Sequence, residues 1–432
     1  MSTLSIEGGR VLLPSMRLEY ADILIDVKKG VILEIGNSLQ GDREINVSGK
    51  LVIPGLVNSH THLAMTLLRG YSDDKPLEKW LEEDIWPIES YLGPADVYKG
   101  SQLALAELIK SGTTSFCDMY FHMGKVAEAT KLSGLRAVLG QGVITVDKKI
   151  EDAHKDAEEG LSFAKKFNKS ISDKIKTAFM PHSITTVGKE YFEEYIPRSR
   201  ELGVPVHLHA NETLQDVKDS MRKYGKRPIE FAVENGILEP GDFAAHCVHV
   251  DANEIGLLAK NDIGVIHCPA SNMKLASGMA PVQELLDSGV RVGLGTDGAA
   301  SNNDLDLFGE MRDAAMVGKL ATGNASSVNA TSVVSMATSE GSKILGFLGG
   351  EIEVGQNADI AVLDLESAHM TPIREGTSLL VYSANGADVI HTICGGEILM
   401  RDRKITTLNE SKIIKDAQEC SDSLIEKMEN NI

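Results

Sequence analysis

Between residues 51 and 296 the sequence alternates short apolar runs with longer amphipathic stretches, and this alternation constrains the fold more than any other feature. The runs are 51–57 (LVIPGLV), 113–118 (TTSFCD), 135–140 (LRAVLG), 175–180 (IKTAFM), 204–209 (VPVHLH), 243–248 (FAAHCV), 263–267 (IGVIH) and 291–296 (RVGLGT). Eight strand-like runs joined by helical crossovers predict a parallel (β/α)8 barrel of the TIM type. A doubly wound open sheet is the alternative. It is set aside because no glycine-rich phosphate loop follows the first run.

The flanks have a different texture. From residue 4 to 52, LSIEGGRVLL, ADILIDVKKGVILEIG and REINVSGKLVIPG are β-branched runs broken by Gly-Gly, Lys-Gly and Ser-Gly turn pairs. From about Gly350 the chain returns to β texture with GEIEVGQNADIAVLDL and ADVIHTICGGEILMRDRKI. A charged helix over about 410–428, with Asn409 as its N-cap, closes the chain. The two terminal segments are expected to pair into a small β-sandwich domain, 1–56 plus 353–432, beside a barrel over 57–352.

A formal net charge of −19 argues against nucleic acid or an anionic membrane as partner. The five cysteines, at 117, 247, 268, 394 and 420, have no CxxC spacing, so neither a disulfide framework nor a thiolate zinc site is expected. MSTLSIEGGRVLL lacks the basic start and long apolar core of a signal peptide, and no run reaches transmembrane length. A cytoplasmic protein is the expectation.

In such a barrel the active site lies at the C-terminal ends of the strands. There the first strand carries His60 and His62, two apart and therefore on one face, where two neutral imidazoles make half of a metal site. Strand four, KTAFMPHS, ends at His182. Strand five, VPVHLHANE, offers His207, His209 and Glu212; strand six, FAAHCVH, offers His246 and His249; strand eight, VGLGTDGAASNN, offers Asp297. His207 and His209 share a face; position nearer the mouth favours His209, and His207 reads as a satisfied core histidine. His249 falls just beyond its strand and reads equally as a loop residue. His267 and His122 read as structural, and His154, His369 and His391 have no supporting context. Three imidazoles and a carboxylate match one Zn²⁺ or Fe²⁺ with room for water. A binuclear site would want a carboxylated lysine at the end of strand four, where Pro181 and His182 stand instead.

HTH after PGLVNSH, HLHANE, AHCVH and GTDGAASNN resemble the amidohydrolase superfamily, in its cytosine-deaminase-like and chlorohydrolase-like branch. The resemblance covers essentially the whole chain, including the GQNADIAVLDL return. It is strongest to the family that deaminates methylthioadenosine and S-adenosylhomocysteine, and within it to the 5′-deoxyadenosine deaminase subgroup. The resemblance implies hydrolytic deamination of adenine nucleosides derived from S-adenosylmethionine: 5′-deoxyadenosine, methylthioadenosine, S-adenosylhomocysteine and adenosine. It implies His60, His62, His209 and Asp297 as ligands of one divalent metal, zinc with iron as the alternative. Glu212 would shuttle protons, His246 would orient the attacking hydroxide, and Asp297 would take the proton of the water. Glu89, in WLEEDIWPIES, would hold the ribose 2′- and 3′-hydroxyls. His182 would contact the nucleoside, Trp80 would wall the base site, and the subunits would assemble as tetramers or dimers.

One departure stands out. Family members that favour S-adenosylhomocysteine carry arginines around and just after the third strand, for its amino-acid carboxylate. Here that region reads GLRAVLGQGVITVDKK, with Arg136 alone, as substrate contact or structural ion pair. Losing a bidentate partner should weaken selection for a charged 5′ tail. Competing readings are a guanine or cytosine deaminase, or an s-triazine hydrolase, in which Glu89 would be idle. A catalytically dead scaffold would lack metal ligands, and a metal store would give Glu212 and His246 no task.

Overall fold

The eight apolar runs do close into a barrel. The computed structural model describes residues 2–167 and 174–430; residues 1, 431 and 432 of the expected terminal domain lie outside them. Leu56–His62 pairs in parallel with Thr113–Tyr120, that strand with Arg136–Val143, and that in turn with Ile175–Thr177 and Met180–Pro181. His207–Ala210, Phe243–His246, Gly264–His267 and Val292–Leu294 form the other half, also in parallel. Bridges from Phe179 to Val206 and from Ser183 to His209 join the halves on one side. On the other, Asp297–Gly298 pairs with Thr61 and His62.

That last closure brings the strand-eight backbone hard against His60. A Cβ on Gly295 would sit 2.8 Å from His60 Cβ and 2.9 Å from its backbone nitrogen, closer than packed atoms approach, so only glycine fits.

The first run divides where the sequence reads it as one strand. Leu51–Pro54 pairs antiparallel with Ile360–Leu363 outside the barrel, and the barrel strand begins at Leu56. Gly55 marks the crossing, where a Cβ would fall 2.2 Å from Thr114 Oγ1. His60 and His62 are therefore inside the strand, not beyond it.

Outside the barrel, a nine-stranded sheet joins both ends of the chain. Leu51–Pro54 sits in its middle, between Thr3–Leu12 on one side and Ile360–Leu363 on the other. Alternating residues of these strands, among them Leu4, Ile6, Ile23, Ile25, Val52, Ile360 and Val362, form an apolar cluster separate from that of the barrel. The helix Glu410–Glu429 starts at the Asn409 cap, whose side chain accepts from the Lys412 amide. It packs Ala417, Cys420 and Leu424 against Leu67 on the barrel's flank. Among the described residues no helix is long and apolar enough to cross a membrane.

Candidate active site

Pleating aims His60 and His62 into the barrel, while the threonine between them faces strand two. Thr61 Oγ1 donates to the Cys117 carbonyl at 2.7 Å, and Asp118 Oδ1 accepts from Thr61 Oγ1 and, at 2.7 Å, from the Leu63 amide. The end of the first strand is thus clamped just where it delivers its imidazoles.

Each imidazole is turned by a hydrogen bond at Nδ1. His62 donates to the Met119 carbonyl at 2.6 Å and His209 to the His182 carbonyl at 2.8 Å. His60 Nδ1 lies 2.9 Å from Nε2 of His207. All three Nε2 atoms then point at one place. His62 Nε2 is 3.4 Å from His209 Nε2, and Asp297 Oδ1 is 3.3 Å from His60 Nε2 and 3.1 Å from His62 Nε2. The four ligand atoms lie within 4.8 Å of one another. Bonds of about 2.0–2.2 Å to a tetrahedral ion separate ligands by about 3.4 Å, so the set is spaced for a metal. Among the described residues His60 Nε2 is buried without a hydrogen-bond partner, as a lone pair reserved for a cation would be.

Charge argues the same way. Burial would raise the Asp297 carboxyl, but the facing imidazoles of His60 and His62 outweigh it and hold the group well below the carboxylate range. Burial opposes charging of His62, yet Asp297 pulls it up to about 9, whereas burial takes His60 down to about 4. The carboxylate demands a positive partner, and a divalent ion satisfies it while leaving the imidazoles neutral. The other oxygen, Asp297 Oδ2, accepts from Ser271 Oγ and Ser301 Oγ, each at 2.7 Å, which turns Oδ1 toward the histidines.

Beside the cluster stand two proton-handling groups. Glu212 follows strand five and immediately precedes the helix Leu214–Tyr224, whose N-cap Thr213 accepts from the Asp216 amide while Asp216 accepts from the Thr213 amide. Burial, and then the nearby carboxylates of Asp216 and Asp297, push the Glu212 carboxyl well up, toward its protonated form. His246 ends strand six in the left-handed region, at φ +70°. Its Nδ1 donates to Asn272 Oδ1 at 2.9 Å, so its Nε2, 3.7 Å from Glu212 Oε2, is an acceptor.

The cluster borders a cavity that His62, His182, His209, Glu212, His246 and Asp297 line together. The segment after the first strand also lines it, with Trp80, Trp86 and Glu89. That segment is pinned to the barrel by Lys274, 2.5 Å from Asp73, and by Thr213, whose hydroxyl donates to Glu78 at 3.2 Å.

The amidohydrolase family profile matches residues 51–399, four-fifths of the chain. The chain belongs to the amidohydrolase family. Among its relatives, a 5-methylthioadenosine/S-adenosylhomocysteine deaminase of Natronomonas pharaonis is 51% identical over 431 residues, covering 100% of both chains. A 5′-deoxyadenosine deaminase of Methanosarcina mazei is 43% identical over 412 residues, 93% of this chain and 95% of that one. An adenosine deaminase from Xanthomonas campestris, solved with bound zinc, superposes with a TM-score of 0.92 at 33% identity over 98% of each chain.

Within this amidohydrolase every residue singled out from the family pattern reaches the cavity or the cluster that borders it. His182 is set by Thr186 Oγ1 at 2.9 Å, and burial, then the surrounding histidines, lowers it to about 3, so it is neutral. Trp80 is buried and donates its Nε1–H to the Ser72 carbonyl at 3.1 Å. Arg136 is the exception. It opens strand three at the opposite end of the barrel, where Nε is 2.7 Å from Asp359 Oδ2. It is a structural ion pair and does not reach the cavity. His249 donates to the Ser277 carbonyl, and His267 is buried at the end of strand seven outside the ligand set.

The sequence reading missed Ser271, Ser301, Asn272 and Tyr120, which bond to Asp297, His246 and Glu89, and Asp118, which bonds to Thr61 and Leu63 on either side of His62. It also missed a clamp behind Glu212. Asn211, at φ +51°, donates to both oxygens of the fully buried Glu254, at 3.1 and 2.9 Å, and to the His249 carbonyl at 3.2 Å. Arg227 Nε donates to the same carboxylate at 2.7 Å.

Proposed function

We propose that this amidohydrolase is a metal-dependent deaminase of adenine nucleosides carrying small or uncharged 5′ substituents. The observation that carries the reading is the presence, in one cavity, of Glu212 and His246 at the metal cluster together with Glu89. A ring reacting at the cluster leaves its sugar in a cavity that also presents a carboxylate. The names of the full-length relatives support the same substrate class.

A divalent ion, zinc in this reading, held by His60, His62, His209 and Asp297 would supply Lewis acidity and an acidified water. The chain's own groups then move the protons. Glu212, protonated, donates to purine N1, which makes C6 electrophilic. Asp297 takes one proton from the water as its oxygen bonds to C6. His246 Nε2 accepts a hydrogen bond from that oxygen and holds it over the ring face. The proton on Asp297 passes to the amino group, the C6–N bond breaks, and ammonia leaves. The remaining hydroxyl proton returns to Glu212, so one water becomes the carbonyl oxygen, the N1 proton and the third hydrogen of ammonia.

Glu89 would accept from the two ribose hydroxyls, with Trp80 against the base and His182 as a neutral hydrogen-bond partner. Among the described residues lining the cavity there is no lysine or arginine, and Phe121, Gly142 and Ile144 stand at the end of strands two and three. A carboxylate-bearing tail finds no cation there, which supports 5′-deoxyadenosine and methylthioadenosine over S-adenosylhomocysteine. The barrel, 57–352, does the chemistry, and the β domain, 1–56 with 353–432, buttresses it. The reading includes one zinc per subunit and a cytoplasmic homodimer or homotetramer.

The test is loss of adenine absorbance by zinc-reconstituted protein with 5′-deoxyadenosine, methylthioadenosine, S-adenosylhomocysteine and adenosine, ranked by kcat/KM. The first two should lead. Turnover of none of them, with metal bound, would move guanine, cytosine and s-triazines to the front.

A further inference from the structure

His60 differs from the other two histidines of the cluster. His62 and His209 each give their Nδ1 proton to a backbone carbonyl, an acceptor that strand geometry supplies. His60 Nδ1 instead faces another imidazole, Nε2 of His207 at 2.9 Å. His207 lies two residues before His209 on the same strand and is fully buried. Its own Nδ1 is 3.1 Å from the carbonyl oxygen of Phe243 on strand six, and its ring stacks on that of Phe243, centroids 4.4 Å apart.

The protons along this chain have one consistent order. A carbonyl oxygen only accepts, so His207 Nδ1 carries a proton. A fully buried imidazole whose neighbours are a carbonyl and a second imidazole is neutral, so His207 Nε2 is a lone pair. His60 Nδ1 must then be the donor to it, and His60 Nε2 is left bare. That is the atom found buried without a hydrogen-bond partner and facing Asp297 and His62.

We propose that His207 is a positioning residue that fixes the tautomer of His60, through the relay Phe243 carbonyl–His207–His60, so that the Nε2 lone pair faces the metal cluster. The proposal rests on the reading of the cluster as a metal site. Without an acceptor at His207, the Nδ1 proton of His60 would be stranded in an apolar interior. Moving that proton to Nε2 relieves it and removes one of the four ligands. The relay explains why a histidine, and not an apolar residue, occupies a core position with 0% exposure. Histidine is rarely fully buried without a task for both ring nitrogens.

The test compares His207→Phe, which keeps a ring against Phe243 but has no acceptor, with His207→Gln, whose amide oxygen can stand near the place of Nε2. Zinc affinity of the full-length protein is measured by competition with a chromophoric chelator, and folding by circular dichroism and melting of the metal-free forms. His207→Phe should bind zinc about ten- to a hundredfold more weakly than wild type, and His207→Gln should recover most of that loss. Long-range ¹H–¹⁵N spectra of histidine-labelled, metal-free wild type should show His60 protonated at Nδ1, and in His207→Phe at Nε2. Equal affinity in His207→Phe and wild type overturns the relay, as does a His207→Gln variant no better than His207→Phe, which would mark a packing role. If His207→Phe fails to fold, the wild-type spectrum decides: a proton at His60 Nε2 overturns the proposal. Failure of wild type itself to bind zinc, cobalt or iron is a different result and removes the metal reading instead.

Discussion

Glu89 Oε1 accepts a 2.5 Å hydrogen bond from the hydroxyl of Tyr120, and both side chains face the cavity. Burial pushes the Glu89 carboxyl up to about 7, against the opposing pull of Tyr120 and the charge of His62. The free enzyme therefore holds Glu89 largely protonated below pH 7 and ionised above it. A carboxylate accepts from two ribose hydroxyls better than a carboxylic acid does. On this limb kcat/KM should rise about tenfold per pH unit and level off near the Glu89 pKa. Glu89→Gln should lose the limb and raise KM by about ten- to a hundredfold, given about 1.5–3 kcal/mol for a hydrogen bond to a charged group. A pH profile identical in Glu89→Gln and wild type would assign the titration elsewhere.

Arg136 and Asp359 form a buried pair between barrel and β domain, with side chains 7% and 6% exposed. Asp359 also accepts from the Gly395 amide at 2.6 Å, so the carboxylate is well satisfied while the guanidinium is present. Arg136→Met leaves a buried carboxylate without its cation, a change that typically costs about 3–5 kcal/mol. Urea denaturation should show that loss, while kcat/KM for all four nucleosides stays within about twofold. A selective loss for S-adenosylhomocysteine would mean that Arg136 does read the substrate after all.

How far the chain could be read before its fold was seen depends on distance along it. His60, His62, His209 and Asp297 are each marked by their own strand, because strand period and strand polarity are local properties. Arg136 could have been placed by the same logic: it opens the run LRAVLG, and a residue that opens a barrel strand lies at the end away from the active site. The groups that turn the ligands were not legible. Ser271 reaches Asp297 from 26 residues away, Asn272 reaches His246 from 26, and Tyr120 reaches Glu89 from 31. A serine or asparagine in a helix as short as Pro269–Lys274 carries no periodic signal, and only barrel closure tells which carboxylate or imidazole it meets. The break of the first run at Gly55 was hidden for a related reason. Two buried strands in series, one in each domain, look like one apolar run.

Asn211 should matter through what it holds. It sits between the end of strand five and Glu212, in a left-handed conformation kept by its two hydrogen bonds to Glu254. Asn211→Gly retains the backbone freedom and removes the tether, leaving the Arg227 and Ile229 bonds to Glu254 in place. A displacement of Glu212 by about 1 Å is enough to cost about a hundredfold in rate. The expected result is a kcat lowered to that extent with KM nearly unchanged and zinc content as in wild type. Normal kcat in a well-folded Asn211→Gly would show that the helix cap at Thr213 suffices to place Glu212.

Metal removal offers the sharpest test of the cluster, because two hydroxyls grade the response. Chelation should abolish turnover, and zinc should restore it. Zinc binds the folded cluster and not the unfolded chain, so zinc at a hundred times its Kd should add about 2.7 kcal/mol of stability, seen as a rise in Tm. Asp297→Ala removes the carboxylate and should remove that increment. Ser271→Ala and Ser301→Ala each delete one of the two 2.7 Å bonds that turn Asp297 Oδ1 toward His60 and His62. Each should weaken zinc by about ten- to a hundredfold and leave the metal-free Tm close to wild type. Because both hydroxyls hold the same oxygen, their effects should not add, and the double variant measures the coupling. Undiminished turnover by the chelated protein, with zinc absent by elemental analysis, would mean that these four residues do not hold the ion the reaction needs.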